Sequence, residues 1–319
     1  MTDTPRNHPP PSEPVSGPAP RQTRNLALRA GSAITAILLV YLAARWDVAY
    51  ESGWACAILT AAGAALCLRE FYRLAVMCGF FPFSRFGRIV GPLWVLALEW
   101  DLGGGARAAG MPAAAATLAM AVLMTGSMLL QLTRKSNHLA LSSVALTMFG
   151  FLYCCWLPGF VIHLRHLAFS PSGWPMDGVE FVLVCIFLTK VSDIGALLVG
   201  GRWGARKLIP RLSPGKTWEG ALGGLAFSVL LMQFMAFTNP IMALARLGWA
   251  RLALLSFLMS AVGLLGDLVE SCFKRNSRMK DAGSGVPGFG GVLDLFDSVY
   301  LTLPVMYFFA LIHGARYVP

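Results

Sequence analysis

Nine apolar stretches, at about 27–44, 48–68, 87–101, 112–132, 139–162, 179–200, 220–238, 250–270 and 297–313, follow one another with short polar segments between them. A helix rises 1.5 Å per residue, so most of these stretches can span the roughly 30 Å of bilayer hydrocarbon. Within hydrocarbon each backbone N–H and C=O needs a partner, and an isolated apolar stretch finds those partners only by forming a helix. The expected fold is therefore all-α: a polytopic integral membrane bundle of about nine transmembrane helices. Glu99 and Asp101 interrupt the third stretch, the weakest of the nine. Losing it would invert the orientation of everything downstream.

Composition agrees with that reading. Apolar types make up 56% of the 319 residues and charged ones 13%, with a mean hydropathy of +0.62, outside the range of soluble globular domains. The net charge of +10 must then sit in loops, facing anionic lipid headgroups or phosphorylated substrates. Nucleic acid is excluded as a partner, because the basic residues are divided among short segments and form no continuous face. The seven cysteines show no CxxC spacing and read as small apolar residues. His163 and His166 form an HxxH, but without further ligands nearby in sequence the reading is a structural one.

The chain divides into three parts. Residues 1–25 hold seven prolines and almost nothing apolar, so they are read as a disordered cytoplasmic tail that lacks the apolar core of a cleaved signal peptide. Residues 26–170 carry the N-terminal helices, and 171–319 carry the C-terminal helices with two long polar loops. With the tail in the cytoplasm, 19 of the 26 Lys and Arg fall on the cytoplasmic side and six on the other, while Lys190 lies inside a span. That asymmetry obeys the positive-inside rule for nine spans. The short loops and the absence of a transit peptide point to a bacterial inner membrane.

Both polar loops, 201–220 and 271–297, fall on the cytoplasmic side. Asp294 and Asp297 stand at i and i+3, on one face at the start of the last helix, where they can bind a metal or complement the helix dipole. Lys274 and Arg278 lie one turn apart at the end of the eighth span. Gly290 and Gly291 belong to a Pro287-Gly288-x-Gly290-Gly291 run whose backbone can approach a ligand closely. Ser213, Lys216 and Thr217 can donate to phosphate just before a helix, and Glu219 can cap that helix, pair with Lys216 or join the site. The loop is no Walker A motif, since the first glycine is missing at the required spacing. Lys190 and Asp193 are charged residues inside a span, where such groups usually mark function. A transporter pathway would explain them, but not two cytoplasmic loops dense in carboxylates, lysines and glycines, and no inverted repeat is visible.

The run Ser271, Phe273-Lys274-Arg275, Lys280-Asp281, Pro287-Gly288-Phe289-Gly290-Gly291 and Asp294-Leu295-Phe296-Asp297 resembles the phosphatidate cytidylyltransferase motif. Ser192-Asp193-x-Gly195-Ala196, Gly200, and Ser213-Pro214-x-Lys216-Thr217-x-Glu219-Gly220 resemble further motifs of that family in the same order, and Glu70-Phe71-Tyr72-Arg73-Leu74 is a weaker match. Three positions depart from the pattern: Val286 where a larger apolar residue is usual, Phe289 where His is usual, and Leu295 where Arg is usual. The last two each remove a phosphate donor.

The resemblance implies an enzyme that joins CTP to phosphatidic acid, giving CDP-diacylglycerol and pyrophosphate. It implies Asp267 and Asp294 as leading metal ligands with Asp297 beside them, a catalytic role for these three and Lys274, and substrate-binding roles for Ser213, Lys216, Thr217, Glu219, Arg275, Lys280, Asp281, Gly290, Gly291 and Asp193. Hard oxygen ligands completed by phosphates fit Mg2+ better than zinc, and a monovalent cation beside it and a homodimer are compatible with the resemblance. CTP, phosphatidic acid and membrane lipids are the expected partners. The phosphate nucleophile is already largely ionised at neutral pH and needs little help from a base, so what the reaction requires is charge neutralisation on the triphosphate.

Overall fold

The computed structural model describes residues 35, 38–43, 45–47, 49–50, 52–110, 113–134, 139–168, 178–238, 247–277 and 291–317. Long helices dominate: α1 (Trp54–Met77), α2 (Ser84–Leu102), α3 (Ala115–Leu132), α4 (Ala140–Arg165), α5 (Gly178–Trp203), α6 (Trp218–Thr238), α7 (Trp249–Asn276) and α8 (Leu293–Ile312). Among the described residues, all of these except α2 are long and apolar enough to cross a membrane, seven in number. Large apolar side chains cover the outer faces, with Leu132 80%, Leu141 84% and Ile312 79% exposed. In water such a surface would aggregate, whereas in lipid it is solvated. The protein is an integral membrane helical bundle.

The third expected stretch is α2, and its four charged residues, Arg85, Arg88, Glu99 and Asp101, keep it out of the seven. Its acidic end is used inside the protein. Asp101 accepts the backbone N–H groups of Ala115 and Ala116 at 3.1 and 2.8 Å and so caps α3. Glu99 is buried against Arg165 at 2.5 Å and His166 at 3.2 Å. His163 packs at a tilt against the rings of Phe160 and Tyr307, so the HxxH pair is split between an ion pair and an aromatic contact. The first expected stretch lies largely outside the described residues.

Carboxylates from elsewhere also start two other helices. Asp47 accepts from Ala55 and Cys56 at 2.9 Å each and caps α1. Glu70, on α1, accepts from Val292 and Leu293 at 3.0 and 2.8 Å and caps α8, 222 residues further along the chain. A helix start offers unpaired N–H groups and partial positive charge, so a buried carboxylate is stabilised there without a cation.

There is little sheet. β1 (Leu167–Ala168) pairs antiparallel with β4 (Arg316–Tyr317), at the end of the bundle that holds Glu99. At the opposite end, β2 (Lys207–Ile209) and β3 (Ser213–Thr217) form an antiparallel hairpin between α5 and α6, with Lys207 opposite Thr217.

Small residues let the C-terminal helices approach closely. Gly224 of α6 lies against the Ser192 carbonyl of α5, and Gly220 against that of Ala196. Gly266 is where α7 crosses α8: a Cβ there would stand 2.6 Å from the Asp297 carbonyl oxygen. Such contacts are the usual means of helix association in lipid, where no hydrophobic drive operates between helices.

Candidate active site

The close crossing at Gly266 sets the next residue, Asp267, and Glu270 one turn later, opposite Asp297. Carboxylate oxygens of these three lie within 4.8 Å of one another. Glu270 and Asp297 are buried, while Asp267 is partly open. Among the described residues this is the one grouping of His, Cys, Asp and Glu close enough to hold a metal ion.

Three such charges cannot share a buried space without cations. Lys216, delivered by β3 of the hairpin, is ion-paired with Asp267. Lys274, one turn beyond Glu270 on α7, lies 2.7 Å from Glu270 and 3.4 Å from Asp294. Lys190 of α5 lies 3.6 Å from Asp193, and 3.3 and 3.4 Å from the Leu295 carbonyl and Ser298 Oγ in the first turns of α8. Five carboxylates (Asp193, Asp267, Glu270, Asp294, Asp297) and three ammonium groups (Lys190, Lys216, Lys274) thus alternate across the site. A divalent cation with hard oxygen ligands fits the donor set.

Asp294 stands at the edge of this cluster, where it accepts the Gly291 N–H at 3.1 Å and faces Lys274. The third carboxylate beside Asp267 and Asp297 is Glu270, to which the sequence reading assigned no role. Its signal was present: Asp267 and Glu270 repeat the i, i+3 spacing of Asp294 and Asp297. Leu295, where the resembled pattern has Arg, is buried, and its carbonyl holds Lys190, so an ammonium group stands by this turn from another helix.

The other expected site residues are distributed more widely. Arg275 donates from Nε to the Leu212 carbonyl at 3.2 Å, tying the end of α7 to the hairpin. Thr217 is buried and its Oγ1 accepts the Gly220 N–H at 3.1 Å, a local cap for α6. Glu219 accepts from the backbone of Ala205 and Arg206 and closes the base of the hairpin. Ser213 sits half-buried at the start of β3, opposite Ile209. Lys280, Asp281 and Gly290 lie outside the described residues, as do Val286 and Phe289.

One turn along α8 from Asp297, away from the hairpin, an apolar cavity of about 80 Å³ is bordered by Phe296, Val299, Tyr300 and Leu303, with Leu59 and Ile186 opposite. Its lining includes none of the cluster's carboxylates or lysines.

A family model described as the cytidylyltransferase family matches residues 28–313. The phosphatidate cytidylyltransferase of Haemophilus influenzae is 41% identical over 141 residues, which cover 43% of this chain and 49% of that protein. That of Bacillus subtilis is 37% identical over 131 residues, covering 41% and 47%. The chain thus spans about half the length of these bacterial relatives. Phosphatidate cytidylyltransferase 5, chloroplastic, of Arabidopsis thaliana is 30% identical over 292 residues, covering 84% of this chain and 68% of that protein. With a family model matched along nearly all of its length and a relative aligned over most of both proteins, the chain belongs to the cytidylyltransferase family.

Proposed function

We propose that the protein is a phosphatidate cytidylyltransferase, converting CTP and phosphatidate to CDP-diacylglycerol and diphosphate. The observation that carries this reading is the Asp267–Glu270–Asp297 cluster, met by Lys216 of the hairpin and Lys274 of α7, inside a bundle whose outer faces are apolar. A reaction between a water-soluble triphosphate and a membrane lipid needs such a charged site within an apolar, membrane-embedded body.

Asp267, Glu270 and Asp297 would hold Mg2+, with Asp294 at the edge of the set. When bound, the metal neutralises charge on the triphosphate and on the departing diphosphate. The chain's own groups do the rest. Lys216 and Lys274 are held by carboxylates and can turn to phosphate oxygens when nucleotide enters, exchanging one anionic partner for another. Burial of Glu270 and Asp297 keeps bulk water from the reacting atoms, which favours lipid phosphate over water as the nucleophile. A phosphate oxygen of the lipid bonds to the α-phosphorus, the α–β anhydride bond breaks, and diphosphate leaves with that electron pair. Such a displacement requires both oxygens in line with the α-phosphorus, so positioning and charge neutralisation supply the catalysis.

The site faces the cytoplasm of a bacterial inner membrane in this reading, supported by the 19 Lys and Arg that the positive-inside rule places on the hairpin side when α2, which runs from the Cys78–Asn276 end of the bundle to the Glu99–Arg165 end, is counted as a crossing. The test is diphosphate release by purified protein in mixed micelles. Release that requires CTP, phosphatidate and Mg2+ together is expected. Release with CTP alone, or with any nucleotide, would overturn the reading.

A further inference from the structure

Helix α4 makes a π-helical turn at Leu152–Trp156. Turns of this kind insert one extra residue into a helix and recur at functional sites. Tyr153 lies in this one, its ring enclosed by aromatic residues of four helices. Phe149 stacks on it at 6.1 Å and 7°, Phe273 of α7 and Tyr300 of α8 meet it edge-on at 5.8 and 6.3 Å, and Phe71 of α1 lies at 6.3 Å. A ring held this way has one orientation, and its hydroxyl one position.

That hydroxyl is buried, with the residue 4% exposed, and it has no hydrogen-bond partner among the described residues. The two other buried tyrosines of this core are satisfied: Tyr72 donates to the Thr147 carbonyl at 2.9 Å, and Tyr300 lies 3.0 Å from Cys67 Sγ. A phenol buried without a partner lowers stability relative to a phenylalanine of the same shape. Its ring neighbours are tied to the carboxylate cluster: Phe273 precedes Lys274, and Tyr300 lies one turn along α8 from Asp297.

We propose that Tyr153 is a substrate-binding residue whose hydroxyl donates a hydrogen bond to a phosphate oxygen of the lipid substrate. The inference rests on the cytidylyltransferase reading above. Tyr153 stands well inside α4, its ring against Phe71 of α1 and against Phe273 and Tyr300 beside the cluster, so it approaches the cluster from the α1 and α4 side, whereas Lys216 comes from the hairpin between α5 and α6. A lipid phosphate comes from that side, and the triphosphate from the other. A neutral O–H can donate there without adding a cation that would compete for the carboxylates.

The test is Tyr153→Phe, which keeps the ring and removes the hydroxyl. Initial rates of CDP-diacylglycerol formation are measured with phosphatidate and CTP varied in turn, beside thermal unfolding of the protein in detergent with and without phosphatidate. Expected are a kcat/KM for phosphatidate lower by on the order of 10- to 100-fold, as for a hydrogen bond to a charged group, and a KM for CTP unchanged to within about twofold. The unliganded variant should be as stable as wild type or more so, and its thermal protection by phosphatidate should shrink. Unchanged kinetic constants, an effect confined to CTP, or a variant less stable without ligand would each overturn the proposal; the last would place the hydroxyl in a bond within the protein. Wild type in the same run reads the family activity separately, and the thermal protection reads the Tyr153 contact even without turnover.

Discussion

Substituting Gly266 by alanine should damage catalysis far more than folding. A Cβ at this position would lie 2.6 Å from the Asp297 carbonyl oxygen and 3.1 Å from Ser298 Cα, both backbone atoms of α8. Comfortable carbon contacts begin at about 3.5 Å, so α7 and α8 must part by several tenths of an ångström to about 1 Å. Overpacking of this kind costs about 1–3 kcal/mol. Alanine returns up to about 1 kcal/mol through its better helix propensity. The net loss, on the order of 0–2 kcal/mol, leaves the protein folded. The same displacement falls directly on the carboxylate cluster, because Asp267 and Asp297 flank the crossing on either helix. Misplacing reacting groups by about 1 Å costs on the order of 100-fold in rate. CDP-diacylglycerol formation by Gly266→Ala should therefore fall about 100-fold and need more Mg2+ to reach half its maximum, with thermal unfolding close to wild type. Gly263→Ala is the control: the tightest contact of its Cβ would be the Thr189 side-chain methyl at 3.2 Å, with the Thr302 methyl and the Ser298 carbonyl oxygen at ordinary contact distances of 3.6 and 3.9 Å. Wild-type rate and Mg2+ dependence in Gly266→Ala would refute the reasoning, since the crossing would then not set the site.

Lys216→Met removes the ammonium paired with Asp267, so Mn2+ followed by electron paramagnetic resonance should bind more tightly without nucleotide, while the KM for CTP rises about tenfold. Glu70→Gln weakens the cap on α8 that holds Val292 and Leu293 and should cost about 1–2 kcal/mol in unfolding, with a parallel loss of rate because Asp294 and Asp297 ride on that helix. Glu99→Gln at the other end of the bundle removes the carboxylate between Arg165 and His166 and should lower thermal stability while leaving both KM values unchanged. Excess EDTA should abolish turnover, and Mg2+ should restore it, with little change in helicity.

The helices were legible because lipid demands long apolar runs, and each described run from residue 48 onward became a helix. The carboxylates were legible as far as spacing carries: Asp267 and Asp297 were both expected at the site and both reach it. Spacing did not say which face of α8 meets α7. That is decided by the missing Cβ of Gly266, and it brings Asp297 to Asp267 and Glu270 while Asp294 turns to Lys274 and the Gly291 N–H. Glu270 was passed over because it lies in an apolar stretch, although its spacing from Asp267 and from Lys274 on the same helix was visible. Thr217 and Glu219 also satisfy backbone N–H groups, Thr217 three residues on and Glu219 thirteen and fourteen residues back, contacts that a motif does not reveal. Glu70 illustrates the deepest limit: its partners are 222 residues away, and only tertiary packing joins them.

The most direct test of the account is the conversion of CTP and phosphatidate to CDP-diacylglycerol, followed by mass spectrometry, for wild type and Asp297→Asn with Mg2+ or with EDTA. The account predicts product from wild type with Mg2+, none with EDTA, and at least about a 100-fold loss in the variant, whose carboxylate faces Asp267 and Glu270. Mg2+-independent product, or an Asp297→Asn variant as active as wild type, would contradict it.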